Sequence, residues 1–371
     1  MKKMKKVISI LLILTFAVSL AACGGGGQTA DNGEYITVTD HLDKEVQVPA
    51  NAERIAVCGV WPLPSVLAVF FNSAEKIVGM PPQCMTAAEN SLLGELYPEI
   101  LNASTTFAEG SEPNIEELLK LEPDIVFYNA STPSVGEQLE QAGLPAVAVS
   151  VNKWDYDCIE TLDNWIALLS EIWPDNDRTE LVHEKSSEIY NMIQERTADL
   201  TDEERAKVFF LFGYGETNIV TSGEHFFGQW WCDAVGAINV ANELKDDNSV
   251  QVNMEQVYAW NPDTIFITNF TTAMPEDLKD NTIGNYDWSV VDAVENDRLY
   301  KMPLGMYRSY TPGVDTPLTL LWMAQCTYPD LFSDIDLTKE VKDYYKEVFD
   351  VELTDDQVAQ IFTPTAAASG Y

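Results

Sequence analysis

Apolar and polar positions follow two rhythms along this chain. Short runs dense in β-branched and aromatic residues at 55–58, 76–79, 124–128 and 146–149 predict strands. The stretches between them carry apolar residues at three- and four-residue spacing and predict helices over about 64–71, 91–96, 115–121 and 135–142. Ahead of these, residues 36–48 alternate around 40–44 as a β-hairpin does. The strand and helix rhythm returns at 208–212, 230–240, 264–268 and 299–302, closed by helices near 317–326 and 337–348. Residues 354–362 predict one more capped helix, and the tail from Thr363 carries no packing signal. Between the halves, a polar segment over about 178–197 keeps Leu181, Val182, Ile189, Met192 and Ile193 on one stripe, as a single long connecting helix would. The fold class is α/β.

One unit occurs twice. Asn114-Ile115-Glu116-Glu117-Leu118, followed by Glu122-Pro123-Asp124-Ile125-Val126-Phe127, returns as Asn253-Met254-Glu255-Gln256-Val257, followed by Asn261-Pro262-Asp263-Thr264-Ile265-Phe266. An Asn with Glu or Gln three residues on reads as a capping box, a short helix follows, and Pro-Asp turns the chain into a buried strand. The copies lie too far apart for a solenoid, so they predict two similar lobes that enclose a cleft. The expected segments are a first lobe at 35–156, a helical connector at 157–203, a second lobe at 204–332 and a C-terminal helical extension and tail at 333–371.

The N-terminus carries an export signal. Lys2, Lys3, Lys5 and Lys6 precede an apolar run over 7–20, too short to span a bilayer comfortably. That run ends Leu20-Ala21-Ala22-Cys23, which looks like a bacterial lipobox. Residues 1–22 are then a leader, Cys23 the acylated new N-terminus, and 23–34 a glycine-rich tether. An ordinary cleavage site with a chance Cys is the competing reading. The expected location is the outer side of the cell membrane, held by a lipid.

Charge narrows the partners. The 371 residues carry a formal charge of −37, more negative still without the leader lysines, which argues against nucleic acid or anionic lipid surfaces. Besides Cys23, five cysteines without CxxC spacing disfavour a zinc site or a dense disulfide framework. Cys58 and Cys84 each follow a predicted strand, leaving a disulfide open, with buried free thiols the default.

Taken together, 36–40, 46–49 and 53–57, the two Asn-x-Glu…Pro-Asp units, and Asp287-Trp288…Ala293-Val294…Arg298-Leu299-Tyr300 resemble the iron-siderophore, haem and cobalamin substrate-binding proteins of ABC importers. The resemblance runs from about Tyr35 to Phe332. It implies two Rossmann-like lobes joined by one long helix, a shallow cleft that closes little, and no catalysis. It further implies a monomer that delivers a metal chelate to a permease dimer with its ATPase subunits. In that family the Glu of each Asn-x-Glu motif meets arginines on the permease, which here designates Glu116 and Glu255. Both also fall in a first helical turn, where a carboxylate favours the dipole on its own account.

The ligand is expected on loops at the carboxyl ends of the strands. That rule nominates Trp61, the 81–85 loop, Tyr128 and Asn129 in the first lobe. In the second it nominates Tyr214, the stretch from His225 to Trp231, Phe270, and Met306, Tyr307 and Arg308. Such rings hold flat or chelated ligands, although core packing competes for each of them. Of six arginines only Arg308 follows a final-strand region, so a triply charged catecholate is disfavoured. A neutral hydroxamate-type iron complex, haem or a corrinoid such as cobalamin fits better. Three histidines, two of them in the hairpin and the connector, do not assemble a multi-histidine metal site, and His225 alone is a candidate axial haem ligand. No intrinsic cofactor is expected. The reading from another class is a secreted carboxylate-dependent hydrolase, since Asp and Glu abound while nucleophile elbow, zincin and P-loop motifs are missing.

Overall fold

A computed structural model describes residues 34–108 and 112–369. The leader, Cys23 and the tether up to residue 33 lie outside the described residues. In chain order the strands are β1 (Tyr35–Thr39), β2 (Glu45–Pro49), β3 (Ile55–Cys58), β4 (Ile77–Gly79), β5 (Ile125–Asn129), β6 (Ala146–Val149), β7 (Lys207–Leu211), β8 (Gly213–Gly215), β9 (Asn218–Ser222), β10 (Ile238–Asn239), β11 (Ser249–Val252), β12 (Thr264–Ile267) and β13 (Leu299–Lys301). Two parallel four-stranded sheets, ordered β4-β3-β5-β6 and β10-β7-β12-β13, form the two lobes. With the small antiparallel sheet β11-β9-β8 set aside, both run second, first, third, fourth. The hairpin β1-β2 flanks the first lobe.

The repeated sequence unit builds the third strand of each sheet in the same way. Asn114 and Asn253 cap helices Ile115–Leu119 and Met254–Trp260. The second copy closes a full capping box with Gln256, whereas in the first copy Glu117 turns to an ion pair with Lys120, and only half the expected box forms. After each helix the Pro-Asp aspartate reaches back to the first strand. Asp124 accepts the amides of Glu53 and Arg54 at 2.8 and 2.9 Å, and Asp263 accepts that of Lys207 at 2.7 Å. The Asp therefore satisfies backbone donors at the amino end of an interior strand that would otherwise lack partners.

Strand alternation decides which side chains meet. Ile55, Val57, Ile125 and Phe127 of the first sheet, with Val208, Phe210 and Phe266 of the second, fall into one continuous buried core. Helices Leu63–Phe71, Cys158–Ile172, Thr179–Thr197, Phe227–Val235, Thr316–Thr327 and Leu337–Phe349 fill it. The opposite faces form two smaller cores, one around Val126, Tyr128, Val135 and Leu139 and one around Phe209, Ile265, Val257 and Trp288. Helix Thr179–Thr197 is the long helix expected between the halves, with Val182, Ile189 and Ile193 buried and Leu181 and Met192 at the rim. The C-terminal tail departs from expectation. Ala366–Ala368 forms a 3-10 turn and Ala368 is fully buried, because small side chains pack closely without the apolar bulk that marks a core segment in sequence. Cys58, Cys84, Cys158, Cys232 and Cys326 are free thiols.

The hairpin docks through His41. Its amide donates to the Ala148 carbonyl, and its Nδ1 accepts the amide of Ser150 at 3.0 Å, which requires the neutral ring. Burial and the charge of Lys153 pull the imidazole down to about 4, against an Asn164 backbone hydrogen bond, Asp40 and Asp43, which raise it. Because the folded value lies below the ordinary 6.5, the contribution is full above about pH 6.5 and is lost as pH falls towards about 4. It is worth at most about 3 kcal/mol, at about 1.4 kcal/mol per tenfold in proton affinity. The thermal midpoint should therefore fall between about pH 6.5 and 4.5, and His41→Gln should flatten that fall while lowering the midpoint at neutral pH. Parallel curves for the two proteins would show that His41 titrates elsewhere.

Candidate functional site

The carboxyl ends of both sheets feed loops into the space between the lobes, as the strand topology requires. After β3 the chain turns at Gly59, whose φ of +72° suits glycine, and delivers Trp61. Asn129, at the end of β5, donates to the Gly59 carbonyl at 3.1 Å and ties the two loops together. From the second lobe come Phe212 directly after β7, Phe226 and Phe227 before and at the start of helix Phe227–Val235, Phe270 after β12, and Tyr307 and Thr311 after β13.

These groups wall a cavity of about 210 Å³ with Pro62 and Val151. Phe212 stacks on Phe270 at 5.1 Å, Phe226 meets Phe212 at 5.4 Å, and Trp61 approaches Phe270 across the lobes at 6.3 Å. No charged side chain lines it among the described residues. Arg308 is fully buried beside the wall, its guanidinium 5.1 Å from the Phe270 ring centre and 5.9 Å from that of Tyr307. An adjoining cavity of about 180 Å³ shares Gly59, Trp61 and Asn129 and adds Cys58, Phe107, Glu112 and Thr132. A larger groove of about 430 Å³ lies between the 88–95 stretch and the Gln360–Thr365 segment and has a mixed polar and apolar lining that includes none of the aromatic residues of the first cavity.

Buried polar groups hold the loop that bears Tyr307 and Arg308. Asp315 accepts the Met306 amide at 2.8 Å and the Tyr345 hydroxyl. Burial raises its carboxyl, opposed by Tyr345 and by the amides of Met306 and Tyr307. Gly305 sits so close that a Cβ there would lie 2.1 Å from the Asp315 Oδ1. Asn269 donates to the carbonyls of Met302 and Pro303, and Trp231 Nε1 to that of Tyr310. Lys301 donates to the carbonyls of Thr268, Thr271 and Ala273 at 2.6 to 2.9 Å. Burial and the charge of Arg308 bring its ammonium down to about 7, yet three acceptors match three N–H donors, one more than the neutral amine has.

The nominated residues separate into groups. Trp61 and Tyr307 line the cavity and Arg308 backs it. Tyr128 is buried on the outer face of the first sheet, its ring over Gly136, because it alternates with Asn129, which faces the cavity. Tyr214 is buried in the second outer core, donating to the Ile283 carbonyl and accepting from Trp288 Nε1. Trp231 and Met306 are fully buried in the shared core, and Trp230 beside Trp231 is half-buried. His225 is exposed, 3.5 Å from Glu224, and is not among the cavity-lining residues. The 81–85 stretch, expected as a loop, enters the helix Pro82–Ala88, started by Pro82. Cys84 donates through its thiol to the Trp61 carbonyl, and burial pushes that thiol up against the pull of Arg308. Lys153 pairs with Asp43 on the hairpin. Glu116 and Glu255 are both exposed in first helical turns, and neither joins an ion pair among the described residues. Phe212 was missed, though its position two residues beyond the inward-facing Phe210 marks it.

Residues 75–304 match the periplasmic binding protein family, and the chain belongs to it, in the type III form. Among curated relatives, the molybdate-binding protein MolA of Haemophilus influenzae is 24% identical over 341 residues, covering 87% of this chain and 93% of that one. The iron-uptake system-binding protein of Bacillus subtilis is 23% identical over 309 residues, covering 80% and 90%. Among solved structures, a periplasmic solute binding protein from Veillonella parvula superposes with a TM-score of 0.79 at 29% identity, covering 89% of this chain and 97% of that one. The protein is thus the extracytoplasmic substrate-binding component of an ABC transporter and not an enzyme. No described helix is long and apolar enough to cross a membrane, and no group of three or more His, Cys, Asp or Glu able to hold a metal occurs among the described residues.

Asp315 positions the Tyr307 loop, so Asp315→Asn, which sets an NH2 against the Met306 amide or the Tyr345 hydroxyl, should cost about 1 to 3 kcal/mol in urea unfolding. Gly305→Ala should destabilise through the same contact. An unchanged midpoint in both variants would remove Asp315 as the anchor.

Proposed function

We propose that this protein captures a compact iron chelate of low charge, of the hydroxamate-siderophore kind, and passes it to a permease dimer served by ATPase subunits. The observation that carries this reading is a cavity between the lobes walled by Trp61, Phe212, Phe226, Phe227, Phe270 and Tyr307 with no charged lining group. An apolar wall favours a ligand whose charge is already neutralised internally, and it offers a free oxyanion or a triply charged catecholate complex no adequate counter-charge. Arg308, buried behind two of the rings, gives that wall a positive backing without lining the cavity. The iron-uptake relative agrees with an iron cargo, and the molybdate-binding one marks how far cargo varies among relatives. Haem or a corrinoid is the second reading. Like a hexadentate hydroxamate iron complex, either exceeds about 210 Å³ and would have to span both cavities, which share Gly59, Trp61 and Asn129.

Freshly purified protein should carry or take up one chelate per chain, seen by native mass spectrometry and by quenching of tryptophan fluorescence. Titration with hydroxamate iron complexes, haem, cobalamin and catecholates ranks the classes. Trp61→Ala should weaken the best ligand by about tenfold or more, as loss of an aromatic wall does. Tight binding of molybdate, with none of any chelate, would overturn the assignment.

Delivery is assigned to Glu116 and Glu255, which stand at matching positions of the two lobes so that a two-lobed protein can straddle a two-fold permease. The chain is taken to act as a monomer held at the membrane by a lipid on Cys23. Replacing both glutamates by Gln keeps the Asn114 and Asn253 caps and should lower stability by about 1 kcal/mol per site or less. Transport should fall steeply while chelate affinity holds; a double variant that transports normally, or that loses its ligand, refutes the docking role.

A further inference from the structure

Seven large apolar side chains are exposed among the described residues, and two of them occupy the same position of the internal repeat. The step that carries Asn114 to Asn253 and Glu116 to Glu255 also carries Leu119 to Tyr258. Leu119 is 42% exposed and Tyr258 39%. In both copies the residue just before, Leu118 or Val257, is the fully buried one that ties its helix to the sheet. The next position therefore turns outward, where a helix with only structural duties would carry a polar group. Each exposed apolar residue lies three positions beyond its glutamate, on the same helical face. The Tyr258 ring is also held in place, since its hydroxyl donates to the Asp287 carbonyl at 2.7 Å. Single exposed apolar residues need no explanation, but a matched pair, each beside an exposed carboxylate that has no ion pair among the described residues, does.

We propose that Leu119 and Tyr258 are the apolar centres of two docking patches, each formed with the neighbouring Glu116 or Glu255, and that the two permease subunits occupy them. The proposal rests on the docking role of the glutamates. Its added content is that the partner offers, twice about its two-fold axis, a basic side chain beside an apolar hollow. Covering Leu119 or Tyr258 expels water from the adjacent ion pair, and a charge pair in that drier setting is stronger than one open to solvent. Two such patches engaged together add their effects through high effective concentration. The patches are not identical. Glu117 and Lys120 form an ion pair beside Leu119, whereas the corresponding Gln256 and Ala259 leave the second patch less charged.

Photo-crosslinking in cells that make the full chain and its transporter tests this. A benzophenone amino acid replaces Leu119, Tyr258, Glu117 or Gln256 in turn, with Leu331 as the exposed control. Leu331 lies just beyond helix Thr316–Thr327, whose last carbonyls bind Arg298 at the amino end of β13, away from the cleft. Positions 119 and 258 should each crosslink to a polytopic permease subunit, identified by mass spectrometry, about tenfold above position 331. Crosslinks from 117 and 256 without 119 and 258 would overturn the apolar patches and leave the carboxylate docking intact. No crosslink from any of the four would overturn both, and equal yield from position 331 would overturn the proposal as non-specific. The double variant Leu119→Ser, Tyr258→Ser gives up the Tyr258–Asp287 hydrogen bond and with it some thermal stability, but should stay folded and keep its ligand affinity while co-purification with that permease falls about tenfold. Undiminished co-purification would also overturn it.

Discussion

The structure depends on a single apolar core shared by the inner faces of both sheets. Ile55 and Phe127 from one lobe and Phe210 and Phe266 from the other belong to the same buried cluster, with helices such as Cys158–Ile172 and Thr179–Thr197 between them. Opening the lobes like a hinge would return part of that surface to water, at about 25 cal/mol for each square ångström. The lobes are therefore held at a set distance, and the cleft is a gap at the edge of a packed core. This accounts physically for the small closure expected of such a binding protein. Recognition has to come from the groups already lining the gap.

Those groups are placed by buried hydrogen bonds more than by surface charge. The surface carries many Lys–Asp and Lys–Glu pairs, such as Lys339 with Asp343 and Lys346 with Asp350, each worth little in water. By contrast, Asp315, Asn269 and Trp231 Nε1 bind the backbone around the Tyr307 loop, and Lys301 binds that of the Phe270 loop, from inside the protein, where a lost partner is costly. The result is a rigid aromatic wall on a strongly acidic chain. The separation has a use. Bulk acidity keeps the surface hydrated, while on the proposed function the uncharged cavity selects on shape and apolar contact.

The internal repeat links these two levels. Each copy supplies a capped helix, an aspartate that ties the third strand to the first, and an outward face with a glutamate and an apolar neighbour. The repeat therefore gives two frameworks with like topology and, with them, two outward faces at matching positions. Their differences, a half capping box with a Glu117–Lys120 pair against a full box with Gln256, lie where packing does not constrain the side chain.

Most of the main elements and their order could be read from the residues alone. Strands at 55–58 and 146–149, the long helix over 178–197 and the paired helix–turn–strand units were all legible, because periodicity, caps and Pro-Asp turns are local signals. The sequence also located the loops at the strand ends, and with them Trp61, Tyr307 and Arg308. Orientation was not legible there. Tyr128 and Asn129 are neighbours, yet one faces the outer core and the other the cavity; Trp231 and Met306 sit on nominated segments and are fully buried, while Phe212, which was not nominated, reaches the cavity. The small antiparallel sheet and the packing of Ala368 were equally silent. Which ring meets the cavity depends on strand register and on what the opposite lobe presents. Those contacts join residues far apart in the chain, and only the tertiary structure brings them together.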